Sequence, residues 1–473
     1  MRRLASIADL RERYDIVIVG AGPAGMAAAV EAGGHGLSVL LLDENRGLGG
    51  QVFRAVESSP LRAHAPLRSA VAAGDRLVAA LASVDIEYLS EATVWQLDPT
   101  LAVSVSKAGQ ARGLTARRII IATGALERPM PVPGWTLPSV MTVGGAQTLL
   151  KAHGLLPEGR MVLAGTGPLL WLYAAQCLAA GFSPTLLLDT TPRVNWLPAL
   201  AKLPTFFVSP YLAKGLSLLF GVRRAVRVIS GVDALAIDAR DGTLRVTWPG
   251  GEAAADHVLL HQGVVPHTNL AQATGCAMAW QPGQACFTPV TNDWGDSSVP
   301  GIGIAGDGAG MAGAEAAEAA GRIAGLAALH AAEAIDVAAR DARSIPHRRA
   351  LARARKGRAF LDALYLPSQS FRVAAADVIA CRCEEVTGAA IRAAAVQGAV
   401  GSNQTKAFLR CGMGPCQGRL CGLTVVETLA AARGVTPEAI EPLRIRNPVK
   451  PVTLAEIASM PSTEAELAAV ARP

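Results

Sequence analysis

The chain has 473 residues, 51% of them hydrophobic and 17% charged, with a formal net charge of +6. So much apolar material excludes a disordered chain, and the length exceeds one ordinary core, so two to four domains are expected. The positive balance alone would suit a nucleic-acid binder, but its densest run, residues 347–358 (HRRALARARKGR), has no interleaved aromatics and no nucleic-acid motif around it.

The N-terminal MRRLASIADLRERYDIVIVG has basic residues but no apolar stretch ahead of its first strand, unlike a secretory signal. No apolar run reaches the ~20 residues that span a bilayer, so no membrane span is expected and the chain reads as cytoplasmic. Thiols stay reduced there, so the eight cysteines point to catalysis or metal rather than to disulfides.

Residues 15–19 read as a strand, followed by Gly20, Gly22 and Gly25 in G-x-G-x-x-G spacing, an alanine-rich helix and a second strand, 39–42, ending at Asp43 and Glu44. Gly20 permits the tight turn, Gly22 lets backbone approach a pyrophosphate, and Gly25 lets helix and strand pack closely. Asp43, which directly ends the strand, is the carboxylate expected on ribose hydroxyls. A lone glycine motif could be a tight turn with incidental glycines; strand, helix, strand and terminal acid together indicate a dinucleotide site.

Two later segments have a related form. RRIIIATGALERP runs into Ala122, Thr123 and Gly124, and GIGIAGDGAGMAGAEAAEAAG runs through Gly306 and Asp307 into a helix expected from about Ala312. This set resembles the two-dinucleotide-binding flavoprotein disulfide reductases. The resemblance implies a discontinuous FAD domain, with Asp307 on the flavin's ribitol and Gly50 and Gln51 of LGGQ close to the isoalloxazine. An uncharged helix N-terminus aimed at the ring would favour reduced flavin.

The middle of the chain repeats the plan with Gly165, Gly167 and Asp189, but Leu170 stands where the third glycine belongs. A leucine there should push helix and strand apart. NAD(P) is therefore not favoured, and a structural domain or another nucleotide is expected. No C-x-x-C occurs, so thioredoxin-reductase chemistry is not expected, and Cys177 on an apolar helix reads as a small core residue. His261 and His267 lie near the return to the FAD domain. Both fit plain polar residues at a junction, and His261 is the one candidate for a catalytic, flavin-proximal role.

Residues 336–376 read as a solvated basic helical linker, with a docking surface for an acidic protein as the functional alternative. Beyond them, five of the eight cysteines fall between Cys381 and Cys421. Soft thiolates select zinc or an iron–sulfur cluster. The tight C-x-C of Cys381 and Cys383 suits a zinc knuckle poorly. The glycine-rich CGMGPCQG offers backbone N–H groups to sulfur, which favours a [2Fe–2S] cluster. Cys411, Cys416 and Cys421 make five thiols for four places. The segment resembles the bacterioferritin-associated-ferredoxin-like [2Fe–2S] domain of amine-oxidising flavoproteins and anaerobic glycerol-3-phosphate dehydrogenase. That resemblance implies Cys381, Cys383, Cys416 and Cys421 as ligands and Cys411 as an outer thiol.

Over nearly the whole length, GAGPAGMAAA, LDENRGLGGQ, ATGALERPMPVPGWTLPSVMTVGGAQTLLK, HQGVVPHTNL and RCGMGPCQGRLCG resemble the α subunits of heteromeric amine dehydrogenases, a group with octopine and nopaline oxidases, D-hydroxyproline dehydrogenase and hydrogen cyanide synthase. The resemblance implies a β subunit whose own FAD oxidises a secondary amine or imino acid, while this chain relays electrons to a quinone or other acceptor. It also leaves room for an FMN at the α/β interface and for a small ferredoxin-like γ subunit. The expected fold is α/β, with two Rossmann-like, disulfide-reductase-type dinucleotide domains and a small helical [2Fe–2S] domain. Residues 1–145 and 261–335 form the FAD domain, 146–260 the second nucleotide-binding-like domain, 377–445 the cluster domain and 446–473 a tail. A self-sufficient NAD(P)H-dependent reductase and a zinc-stapled scaffold are the alternatives.

Overall fold

The computed structural model describes residues 1–62 and 68–461. Strands Arg13–Val19 and Val39–Leu42 are buried almost throughout, as parallel strands covered on both faces must be. They lie in an eight-stranded sheet, ordered Arg2–Arg3, Glu87–Leu89, Val39–Leu42, Arg13–Val19, Gln110–Ile121, Ala102–Lys107 and Thr93–Leu97. The long strand Gln110–Ile121 serves two partners on its far side. Its first half pairs antiparallel with Ala102–Lys107, and its end pairs parallel with Ile302–Ile304. The last strand of this domain therefore arrives from beyond a complete second unit, the discontinuity the glycine segments imply.

Helices Pro23–Ala32 and Ala314–Ala331 cross face to face on this sheet with their backbones nearly touching. A Cβ on Gly321 would lie 2.1 Å from the Ala24 carbonyl oxygen, and one on Gly325 would lie 2.8 Å from that of Ala28. The alanine- and glycine-rich composition thus follows from packing at a separation that larger side chains would forbid.

The second unit is a five-stranded parallel sheet, ordered Val228–Ser230, Leu186–Asp189, Met161–Thr166, His257–Gln262 and Val140–Thr142. Helices Val143–His153 and Pro168–Ala179 cover one face, and the antiparallel strands Ala236–Arg240, Thr243–Trp248 and Gly251–Ala255 cover the other. This sheet takes in Val140–Thr142, ahead of residue 146, and His261 and Gln262, beyond residue 260. Its edge strand pairs with residues more than a hundred positions away, which local spacing cannot show.

The basic segment is docked on one side and solvated on the other, with Arg349, Arg353, Arg355 and Lys356 exposed. Helix Val337–Arg355 lies against Ala314–Ala331, and Arg343 and His347 join Arg322 around the carboxylate of Glu31. Burial would raise the Glu31 carboxyl, but hydrogen bonds from His347 and Arg322 outweigh it and hold the group at about 2. A buried acid recruits two residues of this segment, Arg343 and His347, that the sequence alone places in solvent.

The C-terminal unit consists of the hairpin Ile379–Cys381 and Val386–Thr387 and helices Gly388–Val396, Ser402–Leu409 and Gly422–Arg433. Its apolar residues Ala374, Val378, Val425 and Leu443 belong to one continuous core with Val17, Ile119 and Ile302 of the first sheet. The end of the chain acts as a strap. Val449 N–H donates to Trp95 O at 2.7 Å, and Ala111 N–H donates to the Ser459 hydroxyl at 2.8 Å. The rest of the expected tail, 462–473, lies outside the described residues. Among the described residues no helix is long and apolar enough to cross a membrane.

Candidate functional site

The first glycine loop is built by exclusion. Gly20 has φ +107°, and a Cβ there would sit 2.4 Å from Ala122 O; one on Gly25 would sit 1.7 Å from Gly20 O. Only Gly22 faces open space, its nearest neighbour being the Gly50 Cα at 3.8 Å. Gly306, with φ +74°, abuts the Ala24 side chain, and Gly308 sits beside Thr123 and Gly124. The expected cofactor glycines, Gly50 of LGGQ and the Thr123-Gly124 turn therefore converge on one cradle.

Buried Asp43 accepts hydrogen bonds from the backbone N–H groups of Ala21 at 2.5 Å and Asn45 at 2.7 Å. Glu44, expected beside it, is exposed just beyond the end of the strand and pairs with Lys450. Asp307 Oδ1 accepts from Ala312 and Gly313 N–H at 2.9 and 3.0 Å, at the mouth of helix Ala314–Ala331. That helix begins slightly later than expected, and its first turn carries Glu315, so its N-terminus is not uncharged. An open backbone cradle, one buried acid at the strand end and a second acid at a helix mouth fit a dinucleotide.

Gln51 is held by the second unit. Its side-chain oxygen accepts from the Thr148 hydroxyl at 3.4 Å, and Lys151 Nζ donates to the carbonyls of Gln51 and Val52 at 3.4 and 3.2 Å. Burial lowers the Lys151 ammonium to about 8, and no carboxylate is among its hydrogen-bond partners. Sequence reasoning missed this cation. Its only signal is a lone lysine on the helix that follows the LPSVM turn.

His261 sits at the second glycine loop rather than the first, a correction forced by its place in the strand His257–Gln262. Its backbone pairs with Gly165, and a Cβ on Gly167 would lie 3.5 Å from its Nε2. Its Nδ1 lies 2.5 Å from Glu127 Oε1, while Glu127 Oε2 accepts from Gly144 N–H at 2.7 Å. Glu127 was also missed; a carboxylate ending the short strand Ala125–Glu127 was its signal. Leu170 is fully buried in the core with Leu163 and Leu187, so the helix leaves room for an isobutyl group where the first loop has none. Asp189 is engaged internally, accepting from Thr191 N–H and hydroxyl at 3.0 and 2.6 Å, and burial pushes its carboxyl up.

Cys177 is fully buried with its thiol raised to about 12 by burial, a core residue as expected. The five C-terminal thiols do converge. Cys411 and Cys421 neighbour Cys381, and Cys421 and Cys383 neighbour Cys416. Backbone N–H groups of Gly412 and Glu384 point at the Cys381 sulfur, and those of Leu420 and Gly418 at Cys416. Cys411 touches Cys381 alone among the other four. Among the described residues, no three His, Cys, Asp or Glu side chains are placed to hold a single metal ion. The thiol contacts run as one chain, Cys411 to Cys381 to Cys421 to Cys416 to Cys383. Next to this loop, Asn269 Nδ2 donates to Gln417 O at 2.9 Å, tying it to the segment that follows His267.

Residues 14–324 match the family model described as pyridine nucleotide-disulphide oxidoreductase, and residues 380–460 match the sarcosine oxidase A3 domain. The chain is similar to the A subunit of opine oxidase from Rhizobium meliloti, 47% identical over 99% of this chain and 92% of the relative. It is also similar to the HcnB subunit of hydrogen cyanide synthase from Pseudomonas aeruginosa, 32% identical over 92% of this chain and 96% of the relative. Its fold is similar to that of L-proline dehydrogenase from P. horikoshii, with TM-score 0.71 at 18% identity, covering 96% of this chain and 80% of that one.

Proposed function

Because the chain belongs to the family of the opine oxidase A subunits, with a pyridine nucleotide-disulphide oxidoreductase body, we propose that it is the electron-relaying subunit of a heteromeric amine dehydrogenase. Its donor is a secondary amine or imino acid of the opine or D-hydroxyproline type. A β subunit with its own FAD takes the electrons from that donor, and an interfacial FMN with a small γ subunit completes the assembly in this reading.

FAD, when bound, supplies two-electron acceptance and onward transfer. The chain's own residues do the rest. The Gly20-x-Gly22 loop and the helix behind it present backbone N–H groups to the pyrophosphate. Asp43 orients the ribose end, and Asp307, fixed by two backbone N–H groups, holds the ribityl end. Lys151 anchors the Gln51 loop and puts a buried positive charge on its carbonyls.

Cys381, Cys383, Cys416 and Cys421 hold a [2Fe–2S] cluster, with the surrounding N–H groups stabilising charge on sulfur. Cys411 stays outside the ligand set in this reading, as the resemblance to the amine-oxidising flavoproteins implies. The observation that carries this reading is a dinucleotide cradle and a cluster of five converging thiols in one chain, joined through a single core. The retained Gly165 and Gly167 keep a self-sufficient NAD(P)H reductase as the second reading, opposed by Leu170.

Co-purification from the native host, with an absorption spectrum and cofactor extraction, tests it. FAD, iron, labile sulfide and a second flavoprotein chain are expected. Zinc without iron or labile sulfide would overturn the cluster, and rapid bleaching of the flavin by anaerobic NADPH would favour the second reading.

A further inference from the structure

Between strands Leu186–Asp189 and Val228–Ser230 the chain makes a helical excursion that the flavin and thiol chemistry does not use. It contains helices Trp196–Leu200, Leu203–Phe207 and Tyr211–Ala225. Between Asp189 and Asp233 there is no Asp or Glu, while Lys and Arg occur at six positions.

The inner face of the excursion is fully occupied. Phe206 stacks on Phe360 with ring centroids 4.2 Å apart, Asn195 Nδ2 donates to the carbonyls of Leu364 and Leu366, and the Tyr211 hydroxyl donates to Ala354 O at 2.7 Å. The outer face carries its apolar residues into solvent. Val194 is 78% exposed, Leu197 79%, Phe220 64%, Phe207 59% and Trp196 51%. A soluble surface rarely gathers such side chains along one short segment.

The inner-face bond from Tyr211 to Ala354 places the excursion beside the end of the basic helix Val337–Arg355, where Arg353, Arg355 and Lys356 are exposed. Lys202, Lys214 and Arg224 stand exposed within the excursion itself. Protruding aliphatic and aromatic side chains, set among cations with no carboxylate in the segment, have the composition of interfacial helices, which bury Trp, Phe and Leu at the acyl boundary while Lys and Arg meet anionic headgroups. Lysine is depleted at protein interfaces, and hot spots there sit in packed pockets rather than stand clear of the surface.

We propose that this combined face, residues 194–224 with the end of the basic helix, is a peripheral docking site for an anionic lipid bilayer. It does not depend on the flavin or cluster assignment. Its test is co-sedimentation of the full chain, alone and with its partner subunit, with vesicles of equal parts phosphatidylcholine and phosphatidylglycerol, against phosphatidylcholine alone.

Binding to the anionic vesicles that weakens at high salt is expected. The W196S/L197S/F220S variant is expected to lose about tenfold or more in affinity, and K202E/K214E to lose its preference for anionic lipid. These side chains are exposed, so circular dichroism and flavin content should match the parent chain and exclude misfolding. Absence of binding, or unchanged binding by both variants, overturns the proposal. So does a complex that ignores vesicles while the triple variant fails to capture the partner subunit, which would make this face a subunit interface.

Discussion

At Gly25 a missing side chain sets the distance between helix and loop. The Gly25→Ala variant places a Cβ 1.7 Å from Gly20 O, an overlap that only separation of loop and helix relieves. It should destabilise the chain by about 2 kcal/mol in urea unfolding and empty the site of extractable flavin; parent-like flavin content would show that the cradle tolerates a wider loop. Among the thiols, Cys411→Ala should keep full iron content, whereas Cys416→Ser should lose it, and the reverse pattern would move Cys411 into the ligand set.

His267 titrates in the opposite sense to a salt-bridged histidine. Burial first, then the charge of Arg419, lowers its imidazole from 6.5 to about 4, and its Nε2 has no hydrogen-bond partner among the described residues. A depressed folded value means that its stability contribution is complete above pH 6.5 and is lost as pH falls from there through 4. The His267→Gln variant should therefore show a shallower dependence of unfolding free energy on pH across that window. An unchanged slope would assign the acid limb to other groups. The glycines, Asp43 and the cysteines were legible because each is the residue type its backbone or chemistry demands at fixed spacing. Lys151 and the pair of Glu127 with His261 were not, because their meaning lies in contacts with residues far along the chain.

At the scale of elements, the joint between the C-terminal unit and the flavin-type body rests on a buried acid. Glu427, on helix Gly422–Arg433, lies between Arg128 and Arg372, and Arg128 also donates to the carbonyls of Gln284 and Ala285 at 2.8 Å. Removing one member of such a group leaves an uncompensated buried charge, so Glu427→Gln should cost about 3 kcal/mol in denaturant unfolding. Loss of less than a tenth of that would mean water reaches the arginines. The parallel strands and glycine-loop helices could be read from apolar runs and punctuation alone. The edge strand Val140–Thr142, the docked basic helix and the strap at Val449 could not. Each is defined by a partner element distant in sequence, and none shows a local period that a free segment would lack.

Across the whole molecule, the thiol-bearing unit shares one core with the sheet that carries the flavin-type cradle. A fixed geometry between the cradle and the thiol loop follows, as the proposed electron relay needs, whereas a tethered domain would leave their separation to diffusion. The family membership and the length of the match were foreshadowed by motif order, since the same glycine, acid and thiol segments recur along the full chain. The position of His261 was not, because the sequence places it where a strand meets a turn but does not show which sheet that strand joins. The most direct measurement is anaerobic addition of an opine to the isolated chain and to its complex with the partner subunit, following flavin bleaching and the paramagnetic resonance signal of a reduced [2Fe–2S] cluster. For an electron-relaying subunit, the isolated chain stays oxidised, and both signals develop in the complex. Opine oxidation by the isolated chain at the rate of the complex would contradict it.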